Sequence, residues 1–232
     1  MKLSIIIPIY NEQETVRGIL SRIEAVKFPV EHEIIVVDDA SVDATYEMVT
    51  SSGCPGGQKV KVFRNDVNRG KGYSIRRGIE ESRGDIIIVQ DADNEYDPND
   101  IPRVIGPIIE GRRKVVYGSR FLGKRRPEGM ALPNFIANKF LTFLTCLLFG
   151  IRITDMETCY KALSSDIAKR LRLRANRFTF EPEVTAQVAK LGIRIEEVPI
   201  SYSGRSAEQG KKIKSKDFFY AIGTLLFQRV TQ

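Results

Sequence analysis

The sequence predicts an α/β fold, a Rossmann-like, mostly parallel sheet flanked by helices, followed by a helical C-terminal part. Short continuous Ile/Val runs recur through the first 120 residues, and helix-like periodicity fills the gaps between them. Runs of this kind suit strands covered on both faces, and their alternation with helices is the pattern of a doubly wound sheet. Polar and acidic residues gather where these runs end.

The expected strands are LSIIIPI at 3–9, EIIVVDD at 33–39, KVKVFRN at 59–65, DIIIVQDAD at 85–93 and KVVYGSR at 114–120. Between them, 12–26, 43–52 and 72–82 carry helical spacing and acceptable caps. His32, the only histidine, precedes the second run and is expected in a loop. Past residue 130 the rhythm changes: helices are expected at 134–149, 164–171 and 181–191, a late strand at 194–202, and an amphipathic helix at 216–230. No repeat, low-complexity segment or linker divides the chain, so a single domain over 1–232 is expected.

With 232 residues, 42% of them hydrophobic, the chain can bury a sizeable core. Its three cysteines, Cys54, Cys146 and Cys159, fit neither a disulfide framework nor zinc-ligand spacing, which suits a reducing compartment. The apolar start is broken at Pro8, too early for a signal peptide. The apolar stretch at 140–151 falls short of the roughly 20 residues that span a bilayer. The expectation is a chain that does not cross the membrane. The net charge of +7 is divided, with Asp and Glu in excess over the first 100 residues and Lys and Arg over the rest. An acidic half suits metal binding; a basic half suits phosphates or an anionic surface.

Ligands of doubly wound sheets sit at the carboxyl ends of the strands. The first run ends in Pro8, Tyr10, Asn11 and Glu12, the second in Asp38 and Asp39, the fourth in Asp91, Ala92 and Asp93. One such end is explained by helix capping, to which Ser41 or Asp43 is suited; three together favour a site. In extended chain, Asp91 and Asp93 point the same way and can face one ion. Such hard oxygen ligands suit Mg²⁺ or Mn²⁺, with a substrate diphosphate completing the shell. Gly70, Lys71 and Gly72 stand before a helix, where glycine allows close approach and lysine can meet phosphate. Neither the P-loop spacing nor G-x-G-x-x-G is present.

In this order, PIYNE, VVDDASVDAT, NRGKG and DAD resemble the GT-A glycosyltransferases of the large inverting family 2, which use nucleotide sugars. In the second half, VYGSRF, TDMETCYK, RFTFEPE and EVPISYSGRSAEQGKKI resemble the polyprenyl-phosphate (dolichyl- or undecaprenyl-phosphate) mannosyl- or glucosyltransferases. The resemblance covers nearly the whole chain. It implies a nucleotide-sugar-binding part over about 1–120 and an acceptor-binding, interfacial part over about 121–232.

By that resemblance, Asp39 and residues 8–12 (Pro8, Tyr10, Asn11 and Glu12 among them) contact base and ribose, and Asp38 supports their loop. Asp91, Ala92 and Asp93 meet ribose and metal diphosphate, with Asp93 the stronger ligand, and Lys71 sits near the nucleotide. Arg120 and Arg205, with Lys211 and Lys212 behind them, bind the acceptor phosphate. Asp155 orients groups near the diphosphate and Glu181 helps hold the site, so the implied catalytic set is Asp93, Asp155 and Arg120. The implied partners are a GDP- or UDP-hexose and a polyprenyl phosphate, at the cytoplasmic membrane face and held there peripherally. The aromatics of 135–149 and of KDFFYAIGTLLF, with Lys124, Arg125, Arg126, Lys211 and Lys212, suit such an interface. Arg112, Arg113 and Lys114 read as a solvated turn. A sugar-hydroxyl acceptor is the alternative; Asp155 and Glu157 occupy the stretch where such relatives place a catalytic base. An inactive nucleotide-sugar sensor is another alternative. A nucleic-acid-binding module lacks stacking motifs here, and its acidic edge would repel phosphates, so no nucleic-acid partner is expected.

Overall fold

The structure is a computed structural model that describes residues 1–51, 60–123, 126–204 and 215–231. Its strands are β1 (Lys2–Ile9), β2 (Glu31–Asp38), β3 (Val60–Arg64), β4 (Ile86–Val89), β5 (Val115–Ser119), β6 (Lys161–Ser164) and β7 (Ile195–Pro199). The helices are α1 (Val16–Glu24), α2 (Thr45–Thr50), α3 (Lys71–Glu81), α4 (Ile101–Ile109), α5 (Leu132–Phe149), α6 (Ser165–Ala168), α7 (Phe180–Lys190) and α8 (Ser215–Val230).

One seven-stranded sheet runs in the order β3-β2-β1-β4-β6-β5-β7. β1 pairs in parallel with β2 and β4, β2 with β3, and β5 with β7; β6 alone runs antiparallel to both its neighbours. Leu3, Ile5, Ile6 and Ile7 of β1 and Ile86, Ile87 and Ile88 of β4 are essentially inaccessible, as two covered faces require. Burying each such side chain contributes about 1.5–3 kcal/mol relative to leaving it exposed.

The five expected Ile/Val strands all form, within a few residues of their expected bounds. β2 starts earlier than expected, so His32 belongs to a strand, where its ring lies against Phe28. β6 is an addition: KALS is too short to announce a strand, and it forms because β4 and β5 flank it. α4 is a second addition. Pro102 sits in its first turn, where no N–H is needed, and a strongly apolar face of Ile101, Val104, Ile105 and Ile108 is buried despite the interior Pro107. The helices expected at 12–26, 43–52 and 164–171 are shorter than their periodic patterns. Arg112, Arg113 and Lys114 lie near the surface as expected, but paired: the arginines with Glu196 and the lysine with Asp166.

The reversed direction of β6 positions the site. Because β6 runs against β4 and β5, the segment entering it (155–160) arrives at the edge where β1, β2 and β4 end. Two strand directions thus deliver residues from both halves of the chain to one place.

α5 and α8 pack against each other over a small separate core of Leu141, Ile153, Met156, Ala221 and Leu225. Much of their remaining apolar surface is uncovered: Phe143 is 64% exposed, Leu147 68% and Phe219 70%. α5 has 18 residues and, by length and composition only, is long and apolar enough to cross a membrane.

Candidate active site

At the carboxyl edge of the sheet lies a cavity of about 1170 Å³. Part of its lining is polar, from Asp39, Lys71, Asp91, Asp93 and Glu181, and part is apolar, from Ile136, Phe140 and Leu141 of α5 and Phe218, Phe219 and Ile222 of α8. Arg120, Tyr202, Glu157 and Asn138 also line it.

The adjacent carboxylates leaving β2 have separate tasks. Asp38 is inaccessible, accepts the Ser41 N–H and pairs with Arg64 at 3.2 Å. Asp39 accepts from Asn65 Nδ2 at 2.8 Å and from the backbone N–H groups of Arg69 and Gly70 at 2.9 and 2.6 Å. It therefore clamps the glycine-bearing loop in front of α3 while bordering the cavity. The loop after β1 is laced to the loop after β2: Asn11 N–H donates to Ser41 Oγ, Val42 N–H to Asn11 Oδ1, and Glu12 N–H to Thr45 Oγ1.

Gly70 has φ 98°, and a Cβ there would lie 2.4 Å from the Asn176 carbonyl oxygen. At Gly72 a Cβ would lie 2.5 Å from the Ala175 carbonyl oxygen. The close approach that glycine permits here is to the protein's own 175–177 segment. Gly70→Ala combines strain with that clash, and should lower stability by about 1–3 kcal/mol. An unchanged urea midpoint would contradict this packing.

Lys71 Nζ pairs with Asp91 at 2.9 Å and Glu181 at 3.0 Å. Burial works against its charge, but Asp91 and then Glu181 outweigh it and hold its pKa well above the ordinary value. Glu181 stands in the first turn of α7, so the second half of the chain completes this cluster.

Asp91 and Asp93 do not stand as extended chain. β4 ends at Val89 and the backbone turns at Ala92 and Asp93, with Asn94 at φ 61°. The alternation argument for two carboxylates facing one ion therefore fails, although both border the cavity. Asp91 takes Lys71 as partner, and Asp93 Oδ1 accepts the Glu95 N–H at 3.1 Å. Among the described residues no group of three His, Cys, Asp or Glu side chains forms a metal cluster. Two hard carboxylates fit Mg²⁺ or Mn²⁺ where substrate and water oxygens complete the shell, and they do not fit a metal held by protein alone.

Arg120 and Asp155 form a buried fork, 6% and 0% exposed: Nε and Nη2 donate to the two carboxylate oxygens, each at 2.7 Å. Asp155 also accepts the Arg120 backbone N–H, and its own N–H donates to Glu197 on β7. Nη2 reaches Asn138 on α5 at 3.1 Å, and the guanidinium lies over the Tyr202 and Phe121 rings. Nη1 has no hydrogen bond to the described residues.

Of the residues singled out from sequence, Pro8, Tyr10, Glu12, Asp39, Gly70, Lys71, Asp91, Ala92, Asp93, Arg120, Glu157 and Glu181 border the cavity. Asn11, Asp38 and Asp155 stand behind them, holding the loops and Arg120. Arg205, Lys211 and Lys212 lie outside the described residues, as do Cys54, Lys124 and Arg125. Tyr96, Cys159, Arg177 and Tyr202 border the cavity without having been singled out. Cys159, Arg177 and Tyr202 stand in the stretches TDMETCYK, RFTFEPE and EVPISYSGRSAEQGKKI that carry the resemblance, whereas Tyr96 carried no signal.

Comparison with known proteins places this arrangement. The profile described as "Glycosyl transferase family 2" matches residues 4–172. UDP-N-acetylglucosamine–dolichyl-phosphate N-acetylglucosaminyltransferase of Methanococcus voltae is 30% identical over 97% of this chain and 93% of its own length. Dolichol-phosphate mannosyltransferase of Pyrococcus furiosus is 32% identical over 94% of the chain and 61% of its own length. Among solved structures, glucosyl-3-phosphoglycerate synthase from Mycobacterium tuberculosis, in complex with Mn²⁺, UDP and glucosyl-3-phosphoglycerate, superposes with a TM-score of 0.73 at 21% identity. That match covers 100% of this chain and 81% of the synthase, and it establishes the likeness of fold.

Proposed function

Because the chain belongs to glycosyl transferase family 2 and has its GT-A fold, we propose that it moves a hexose from a GDP- or UDP-sugar to a polyprenyl phosphate, with inversion at the anomeric carbon. The observation that carries this reading is that one cavity is lined both by the carboxylates and Lys71 and by apolar side chains of α5 and α8. A water-soluble glycan acceptor has no use for the apolar part. The two lipid-phosphate relatives point the same way.

In this reading the loop clamped by Asp39 receives the nucleotide, and Lys71 offers positive charge beside the diphosphate. Asp91 and Asp93 would hold Mg²⁺ or Mn²⁺, which supplies charge stabilisation to the departing diphosphate. The acceptor phosphate is already anionic at neutral pH, its second pKa being about 6, so it has to be positioned rather than deprotonated. Arg120, fixed by Asp155, offers Nη1 for that purpose. Asp155 is poorly suited to act as a base, since both its oxygens accept from Arg120. The test offers UDP-glucose, GDP-mannose and UDP-N-acetylglucosamine with a short polyprenyl phosphate and, separately, with the corresponding polyprenol. Transfer to the phosphate alone is expected; transfer to both alike would remove the phosphate-acceptor assignment.

The exposed apolar faces of α5 and α8, with Lys139, Lys216 and Arg229 beside them, suit peripheral attachment to the cytoplasmic membrane face. Each cation near an anionic surface contributes about 1 kcal/mol, so binding to anionic vesicles should weaken as salt rises. Equal binding to neutral and anionic vesicles would contradict the electrostatic part.

A further inference from the structure

The segment entering β6 is pinned through several of its backbone groups. The Asp155 N–H donates to Glu197, the Met156 N–H to Thr142 Oγ1 and the Cys159 N–H to the Tyr96 hydroxyl. Lys161 Nζ donates to the carbonyl oxygens of Met156 and Thr158, the residues on either side of Glu157. The Glu157 side chain is the exception. It borders the cavity, and its Oε1 is shielded from solvent without a hydrogen-bond partner among the described residues. A shielded carboxyl oxygen left unpaired is costly, and a rigid loop cannot swing it out to water.

The surroundings restrict what partner it takes. Glu181 and Asp155 are the nearby acids, and Lys161 and Arg120 the nearby cations. A phosphate oxygen would meet three carboxyl groups, and a further cation would meet the two cations already present. A neutral hydroxyl fits. Burial first, and the Glu181 charge second, push the Glu157 pKa above the usual carboxylate range, against the pull of Lys161 and Arg120. A carboxyl held toward its neutral form can both accept from and donate to a hydroxyl. Glu157 lines the cavity together with Lys71, Glu181 and Arg120, and both Glu181 and Arg120 lie close enough to act on its charge. The transferred hexose has to lie between diphosphate and acceptor phosphate.

We infer that Glu157 binds a hydroxyl of the transferred hexose and thereby sets which sugar the site accepts. The inference rests on the glycosyl-transfer reading. It assigns Glu157 a binding contact with substrate and no proton transfer in the reaction.

Calorimetry tests it, with UDP, GDP, UDP-glucose, GDP-mannose and UDP-N-acetylglucosamine titrated into wild type, Glu157→Ala and Glu157→Gln. For the preferred donor, the ratio of nucleotide-sugar to nucleoside-diphosphate affinity should fall about tenfold in Glu157→Ala, with UDP and GDP affinities unchanged. Glu157→Gln, which still donates and accepts, should keep most of that ratio. Glu157→Gln should melt with wild type, because no hydrogen bond to Oε1 from the described residues is lost; Glu157→Ala also removes a charge facing the buried Lys161, so its melting temperature is measured beside the affinities. An unchanged ratio in Glu157→Ala overturns the inference, and so does an equal loss for UDP, GDP and their sugars. Transfer abolished in Glu157→Gln with the ratio intact also overturns it, and would make Glu157 a base. If wild type binds none of the five nucleotides, the glycosyl-transfer reading fails, and the inference with it.

Discussion

Asp93→Asn should abolish sugar transfer, by about 10²–10³-fold or more, in a protein that remains folded. In an inverting displacement the barrier is dominated by charge gathering on the departing diphosphate, and a divalent ion at Asp91 and Asp93 is what would offset it. The substitution is nearly isosteric and keeps an oxygen for the Glu95 N–H, so the turn after β4 should survive. Asp91→Asn is a less clean variant, because it also removes a partner of Lys71. Excess EDTA should reproduce the loss in wild type, and Mn²⁺ or Mg²⁺ should reverse it. Full activity in EDTA would remove the metal assignment and leave Lys71 as the charge beside the diphosphate.

Arg120→Ala should destabilise the protein by about 3–5 kcal/mol, because it strands the inaccessible Asp155 carboxylate without its cation. For a chain of this size the melting temperature should drop on the order of 10 °C. Lost activity in this variant alone would therefore not separate structure from chemistry. Arg120→Met combined with Asp155→Leu removes both charges and fills a similar volume, so most of the stability should return. Transfer should not return, since nothing then offers a guanidinium to the acceptor phosphate, while nucleotide binding should match wild type. Thermal melts together with donor titrations check both halves of this expectation. A stable double variant that transfers sugar normally would show the pair to be structural only.

These two pairs of residues also show how far the sequence carries. The Ile/Val runs announced β1, β2, β4 and β5, because a strand covered on both faces has to be apolar along most of its length, while β3, at the sheet edge and only half-buried, was announced by its β-branched alternation. KALS announced nothing. β6 is made by its neighbours, and its direction brings Asp155, Glu157 and Cys159 to the strand ends. α4 was hidden by three local breakers that its buried face outweighs, Pro102, Gly106 and Pro107. At the site, adjacency in sequence misled in one respect. Asp38 and Asp39 leave the same strand, yet only Asp39 borders the cavity, since Asp38 is turned onto Arg64 and the Ser41 N–H. The same limit applies to Asp91 and Asp93, which strand alternation placed on one face of an extended chain and which in the structure belong to a turn after β4. Lys71 was legible as a cation near the glycines and Glu181 as a residue holding the site by resemblance, but their pairing across 110 residues could be found only in three dimensions.

The most direct measurement is the mass of the lipid product. Purified protein is incubated with a nucleotide sugar, Mn²⁺ and a short polyprenyl phosphate, and the organic phase is analysed by mass spectrometry with fragmentation. The expected result is a polyprenyl phosphate carrying one hexosyl unit on its phosphate, with the nucleoside diphosphate released in equal amount. A polyprenyl phosphate recovered unchanged, while the sugar appears on the hydroxyl of a carbohydrate acceptor, would contradict the account.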